Sequence, residues 1–198
     1  MKRKNIAMTV CTILSALTFI VIGACFSAFV YKDEVIKVKN PKVTVARNIQ
    51  VFASDGEKTL DELKLSQMKL GLKPATGEED SLTSIPTTIT DKQGSEGQYA
   101  KFKLYAPEGA KVSIQNIKIE NEKESAEDIA KERENIMVAI KGIDDSTKSL
   151  AGDKIELATV PASEDKEEYT FLIWLSGKAG NKLESSTISF DITFEQVV

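Results

Sequence analysis

The sequence predicts an all-β domain: an antiparallel β-sandwich, jelly-roll or immunoglobulin-like, with one inserted surface helix and a hydrophobic helix ahead of it. Three observations lead there. Eight or more β-patterned segments follow Lys32 at spacings of about ten residues, the rhythm of sandwich strands. Only one stretch, residues 121–135, breaks that rhythm with a helical pattern. Residues 6–31 are apolar throughout and carry no charge.

The apolar run comes first in the chain. Lys2, Arg3 and Lys4 precede it, and the next charge is Lys32. At about 1.5 Å per residue, a helix of this length crosses a hydrocarbon core of roughly 30 Å. Basic residues ahead of the run predict a cytoplasmic amino terminus, with everything after Lys32 outside. Residues 1–31 are therefore expected to be a signal peptide or a transmembrane anchor, and residues 32–198 an extracellular domain. Cys25 and Ser27 are small and precede the Ser27–Ala28 bond by three positions and one, which suits processing between Ser27 and Ala28. The length of the run favours retention instead. Ile22-Gly23-Ala24-Cys25 resembles a lipoprotein box and makes Cys25 an alternative lipidation site, against which stand the bulky Phe26 and Phe29.

Composition narrows the function of the exported part. After Ser27 the remaining residues hold 23 basic and 30 acidic side chains, a net charge of −7. Such a domain repels nucleic acid and anionic headgroups, so neither is an expected partner. Both cysteines, Cys11 and Cys25, lie in the apolar run, so the domain has no disulfide and stands on packing alone. The chain has no histidine. That removes zinc-protease motifs, Ser-His and Cys-His pairs and imidazole metal sites. No cofactor and no catalytic residue is expected.

Between residues 35 and 52, Val43, Val45, Ile49 and Val51 alternate with polar neighbours, predicting one or two strands interrupted near Asn40-Pro41. Asp55-Gly56 signals a turn. Thr59-Leu60-Asp61-Glu62 has capping-box spacing and predicts a single helical turn. Residues 68–72 read as a short strand. Residues 74–98, rich in Pro, Gly, Ser, Thr and acids, read as a long loop with an edge strand at 84–90. Ala100, Phe102 and Leu104 form an inward row, and Ala106-Pro107-Glu108-Gly109 is a β-turn.

Val112 and Ile114 then alternate, but the next apolar pair is Ile117 and Ile119. A bulge at Gln115-Asn116 would keep both pairs on the core face. In residues 121–135, Ser125 and Asp128 have cap spacing and Glu127 and Lys131 are four apart. Only Ala126, Ile129 and Ala130 are apolar there, so the helix has a thin buried stripe. Strands are expected at residues 136–140 and 154–160, separated by a turn at 142–146, and an acidic loop at 163–168. Residues 169–175, YTFLIWL, are apolar on both faces and predict a central strand. After a turn at 176–181, Ile188, Phe190, Ile192 and Phe194 alternate with Ser189, Asp191, Thr193 and Glu195, and this last strand is expected beside 169–175.

Acidic clusters at Glu78-Glu79-Asp80, at Asp144-Asp145 with Asp153, and from Glu164 to Glu168 could offer oxygen ligands to calcium, but none has EF-hand spacing. Loop carboxylates without an aromatic cleft give no glycosidase signature. Trp174, the single tryptophan, sits mid-strand and reads as core. FEQVV closes the sequence with neither an apolar tail nor a sortase-type motif, so surface attachment is expected from the amino terminus.

The basic start, the long apolar segment, Ser27-Ala28-Phe29 and the closing pair TFLIWLSG and ISFDITFE together resemble the TasA and camelysin family of Gram-positive bacteria. The likeness covers about a quarter of the chain, and Val30-Tyr31-Lys32 departs from the polar Ser/Asn-Asp that follows the family's phenylalanine. The resemblance implies an exported jelly-roll protein that builds biofilm fibres, as some members of the family do by lending an amino-terminal strand to the next subunit. The protease activity ascribed to camelysin has no zinc-binding histidine to support it here. Two functions remain open from the residues. One is a structural subunit of the surface or matrix, in which residues 28–38, freed by cleavage, add to a neighbour's sheet. The other is a membrane-anchored binding module for a protein or carbohydrate.

Overall fold

Eleven strands and one short helix make up the described residues of the computed structural model, which are 36–65, 69–70, 97–143 and 147–198. In chain order they are β1 (Ile36–Val38), β2 (Lys42–Val45), β3 (Gln50–Ala53), β4 (Lys69–Leu70), β5 (Gly97–Ala106), β6 (Ala110–Glu120), α1 (Ala126–Glu132), β7 (Ile136–Lys141), β8 (Thr147–Ser149), β9 (Lys154–Val160), β10 (Ser163–Leu175) and β11 (Thr187–Gln196). The domain is all-β and has two sheets. One runs β4-β1-β11-β6-β9, with β2 also on β11; the other runs β3-β5-β10-β7-β8.

The apolar rows of both sheets share one core. Phe190, Ile192 and Phe194 of β11 face Phe102 of β5 and Phe171 of β10. Phe102 meets Phe194 edge-on at 5.7 Å between ring centres, and Phe171 meets Phe190 at 5.8 Å. Each such ring removes apolar surface from water worth about 1.5–3 kcal/mol, with a further ~0.5–1.5 kcal/mol for the ring pair. These contacts run between sheets, so β11 does not lie beside β10 as expected. It pairs with β6 on one edge and with β1 and β2 on the other. The physical reason is that both strands turn their aromatic rows inward, where they meet through the core rather than along a ladder. The connection from Ser176 to Ser186, with a short 3-10 turn at Asn181–Leu183 and Leu183 buried, is long enough to change sheets.

The phase slip in β6 is a bulge. Asn116 takes φ +55°, and the β6–β11 register jumps between Ser189↔Lys118 and Asp191↔Gln115. Asn tolerates the left-handed region better than a branched residue would, and its side-chain amide donates to Asp191 at 2.8 Å. Two residues of β6 thus face Phe190, and Ile117 and Ile119 stay on the core side. The turn after β5 closes with Gly109 at φ +83° donating to the Ala106 carbonyl at 3.0 Å. α1 starts at Ser125, whose hydroxyl accepts from the Asp128 N–H at 3.1 Å, and Lys131 reaches Glu127 at 2.8 Å. Of its apolar residues only Ile129 is buried.

Several expectations are corrected. Residues 59–62 form no helical turn: Thr59 bridges Phe52 and Glu62 bridges Lys42. Extended backbone lets Leu63 and Leu65 enter the core, which outweighs a one-turn helix with a costly nucleus. Residues 163–168 are not a loop but the first half of β10. Their charges lie exposed and find neighbours, Glu168 beside Lys101 at 3.7 Å and Lys166 over the Phe52 ring at 4.1 Å. The loop expected through residue 98 ends earlier, since β5 begins at Gly97. Thr193, placed by alternation on the polar face, is buried there, where its hydroxyl meets that of Ser113 at 2.7 Å. The short strand near residue 68 is observed as β4, while the expected edge strand at 84–90 lies outside the described residues.

β10 is apolar on both faces, as its sequence predicts. Tyr169, Phe171, Ile173 and Leu175 join the shared core, whereas Leu172 and Trp174 form a second cluster with Met137, Ala139 and Tyr99 on the opposite face.

Replacing Phe190 or Phe194 with Ala is expected to cost about 3–5 kcal/mol in denaturant unfolding, while Ser189→Ala costs within about 0.5 kcal/mol. Thr193→Ala should fall between, at about 1–3 kcal/mol, because it leaves the buried Ser113 hydroxyl short of a partner. Equal losses at all positions would contradict the assigned faces of β11.

Candidate functional site

The residues first singled out for processing, Ser27 and Ala28, and for lipidation, Cys25, lie outside the described residues, as does the apolar run. Of the acidic clusters, Asp153 and Glu164 to Glu168 are described; Glu78-Glu79-Asp80 and Asp144-Asp145 are not. Among the described residues, no three acidic side chains converge as metal ligands would. No described helix is long and apolar enough to cross a membrane. The features left that can bind something are a groove beside α1 and the edges of the sheets.

The groove holds about 710 Å³, within the usual range of ligand pockets. Its floor is Ile117 and Ile119 at the end of β6 with Ala126, Ile129 and Ala130 of α1. Glu120, Glu122, Lys123, Glu124 and Arg133 stand at its rim, with Ser185 and Thr187 at one end. The bulge at Asn116 keeps the two isoleucines on the core side, and the thin apolar stripe of α1 lines the groove with them. Polar clamps hold the walls. Lys182 reaches Glu124 at 2.9 Å and Asp128 at 3.9 Å, and the Glu132 carboxylate accepts from the Gly180 N–H at 2.9 Å. A Cβ at Gly180 would lie 2.6 Å from a Glu132 oxygen and would push that carboxylate aside. The Asn121 amide donates to the Glu184 carbonyl and the Ser186 hydroxyl, both at 2.7 Å. Arg133 donates to the Gly152 carbonyl and lies 3.6 Å from Asp153. An apolar floor beneath a charged rim can hold an aliphatic or aromatic group. Sequence reasoning read Ile117, Ile119 and Ile129 as core. The signal for a groove was the same thin stripe, three small or branched residues facing a two-isoleucine row.

The sheet edges are closed in several ways. Beyond β3 the chain doubles back, with Ala53 N–H to Lys58 O at 3.0 Å and Leu60 N–H to Val51 O at 2.7 Å. β2 has the Lys42–Glu62 bridge on its outer side. β9 carries Lys154 and Glu156 and is itself bulged against β6, both common devices that discourage edge pairing. β11 is different. Its second edge is occupied only by β1 and β2, both parallel to it.

The groove's Lys182 has its pKa raised, first by the hydrogen bond it donates to Glu124 and then by the nearby Asp128 charge. In the core, Tyr169 is raised by burial and then by the Glu167 charge. Both groups hold a proton more tightly when folded. The stability they supply is complete below pH about 10 and is lost as pH rises through their raised values. The thermal midpoint is therefore expected to fall above pH about 10, and Tyr169→Phe should make that fall shallower. A midpoint unchanged across the alkaline range would contradict it.

No family model matches this sequence, and neither a curated protein nor a solved structure matches it.

Proposed function

We propose that this chain is an exported, non-enzymatic structural protein of the cell surface or extracellular matrix. The observation that carries the reading is the pairing of two features. A basic start and an apolar run able to cross a membrane precede an all-β domain that contains neither histidine nor cysteine. Export without disulfides asks a domain to rest on its core, and the inward rows of two sheets supply that. The architecture is in keeping with a jelly-roll or immunoglobulin-like sandwich. Self-association or contact with other surface proteins is the expected mode of action, with assembly into fibres by amino-terminal strand donation as its most specific form. Residues 36–38 are paired in cis with β11, so donation from residues 28–38 requires that this pairing be given up or lie downstream of the donated part.

The groove beside α1 favours a second reading, a membrane-anchored module that binds a protein or carbohydrate. The amino terminus discriminates between the two. Mass spectrometry of the native protein that finds Ala28 first supports the released subunit. An intact Met1, or a lipidated Cys25, supports the tether. Chains beginning at Ala28 and at Asn40 can then be compared by light scattering and electron microscopy. Filaments from the longer chain alone are expected; two equally monomeric chains would count against assembly.

A further inference from the structure

We infer that the outward face of the β3-β5-β10-β7 sheet is a docking surface for an acidic polysaccharide, held by a band of four lysines. The inference deepens the second reading above, a module that binds carbohydrate, and assigns it a surface other than the groove.

Alternation builds the band. In β5, Ala100, Phe102 and Leu104 turn into the core, so Lys101, Lys103 and Tyr105 turn outward. Thr170 of β10 stands opposite Lys101 on one side and opposite Lys141 of β7 on the other, which puts both lysines in one row across three strands. Phe52 of β3 is opposite Lys103, and the Lys166 ammonium lies over its ring at 4.1 Å. Strand and residue spacings set the Lys101 backbone about 7 Å from that of Lys103 and about 10 Å from that of Lys141.

The charge of the band is opposite to that of the domain. Four lysines share the face with one carboxylate of the ladder, Glu168, a local charge of +3 where the chain after Ser27 sums to −7. Glu167, opposite Leu104, belongs to the other face, and Glu164 and Asp165 lie in the irregular stretch beyond it, off the ladder. Among the described residues only Lys101 of the four has a carboxylate within 4 Å, Glu168 at 3.7 Å, and that carboxylate also accepts from the Ser54 hydroxyl at 2.8 Å. Charges farther away than about 8 Å are largely screened at physiological ionic strength. A polyanion on this face therefore meets the lysines and not the net charge of the domain.

The class of polyanion follows from what lies among the charges. The ammonium groups form a flat band and not a converging pocket, which suits a linear polymer of repeated charges better than one small anion. Tyr105, half-buried, sits two residues on from Lys103 and brings an aromatic ring to the same face, and the Thr170 hydroxyl lies between Lys101 and Lys141. A ring face, a hydroxyl and cations together match a sugar that bears an acidic group: the ring stacks, its hydroxyls find a partner, and the acid meets an ammonium. Lysines act as flexible point charges, so the repeat need not fit a rigid fork.

The test titrates the full-length chain in detergent with polygalacturonate as the acidic glycan, dextran as the neutral one, and polyphosphate as a polyanion without sugar. Polygalacturonate is expected to bind at 0.15 M salt and to be released at 1 M, and dextran not to bind. Lys103→Gln with Lys141→Gln should lower the affinity about 25-fold, at about fivefold per lysine. Lys111→Gln with Lys118→Gln, the same change of charge at exposed positions of β6, should leave it within about twofold. Tyr105→Ser should weaken polygalacturonate and spare polyphosphate. Should the half-buried Lys103 not tolerate substitution, Lys141→Gln with Lys166→Gln, both exposed, carries the same comparison. Equal losses from the β6 pair and the band pair, or no binding of polygalacturonate at 0.15 M salt, would overturn the inference. So would polyphosphate that binds as tightly as polygalacturonate and a Tyr105→Ser that weakens neither. Dextran held in the groove, lost with Ile119→Asp while no acidic glycan binds, would overturn the inference and leave the carbohydrate-binding module standing.

Discussion

Everything in this domain depends on the inward row of β11 meeting the rings of the opposite sheet. Phe194 against Phe102 and Phe190 against Phe171 join the two sheets through the core, with no disulfide among the described residues to assist. Aromatic rings suit that task because each buries a large apolar area while losing few side-chain rotations. Strand lengths follow from it. β5, β10 and β11, which carry the rings, are long strands, and so is β6, the antiparallel partner of β11. The shorter strands fill edges around them.

That core creates a geometric demand at one end. β6 must face β9 and β11 at once while its apolar residues change phase, and the left-handed Asn116 absorbs the mismatch. The cost is local, a residue in a sparsely populated region. The return is that Ile117 and Ile119 remain on the core side, where they line a groove together with α1. Because α1 buries only Ile129, coverage is incomplete and a groove is left.

The edges show a second constraint, the need to keep a two-sheet domain from pairing at random. Backbone doubling beyond β3, the bridge beside β2, and the bulge and charges of β9 each discourage a stray strand. The second side of β11 is covered by the parallel strands β1 and β2, interrupted by Pro41, and these are held in turn by β4 and by the bridge from Lys42 to Glu62.

Much of the local structure was legible in the residues. The alternation in β11, the two-sided apolarity of residues 169–175, the turn at Gly109, the Ser125 cap and the bulge beside Gln115 are all short-range signals. Side-chain period, φ preference and capping act between neighbours, so a sequence states them directly. Which strand lies beside which was not legible. β10 and β11 follow each other in the chain and look like a hairpin, but alternation says only that each has an inner face, not which sheet holds it. The charged start of β10 and the extended run at residues 59–62 likewise broke their local preferences, because cross-strand partners and the burial of Leu63 and Leu65 lie far away in sequence. The groove was invisible for the same reason: Ile117, Ile119 and Ile129 are ordinary core residues until a short helix covers them only in part. The sequence by itself determined most of the strands and their inner rows, the absence of disulfides in the domain and the apolar run ahead of it. Only the tertiary structure decided the pairing of β11 with the amino-terminal strands, since that contact joins residues about 150 apart and depends on a core that neither segment builds alone.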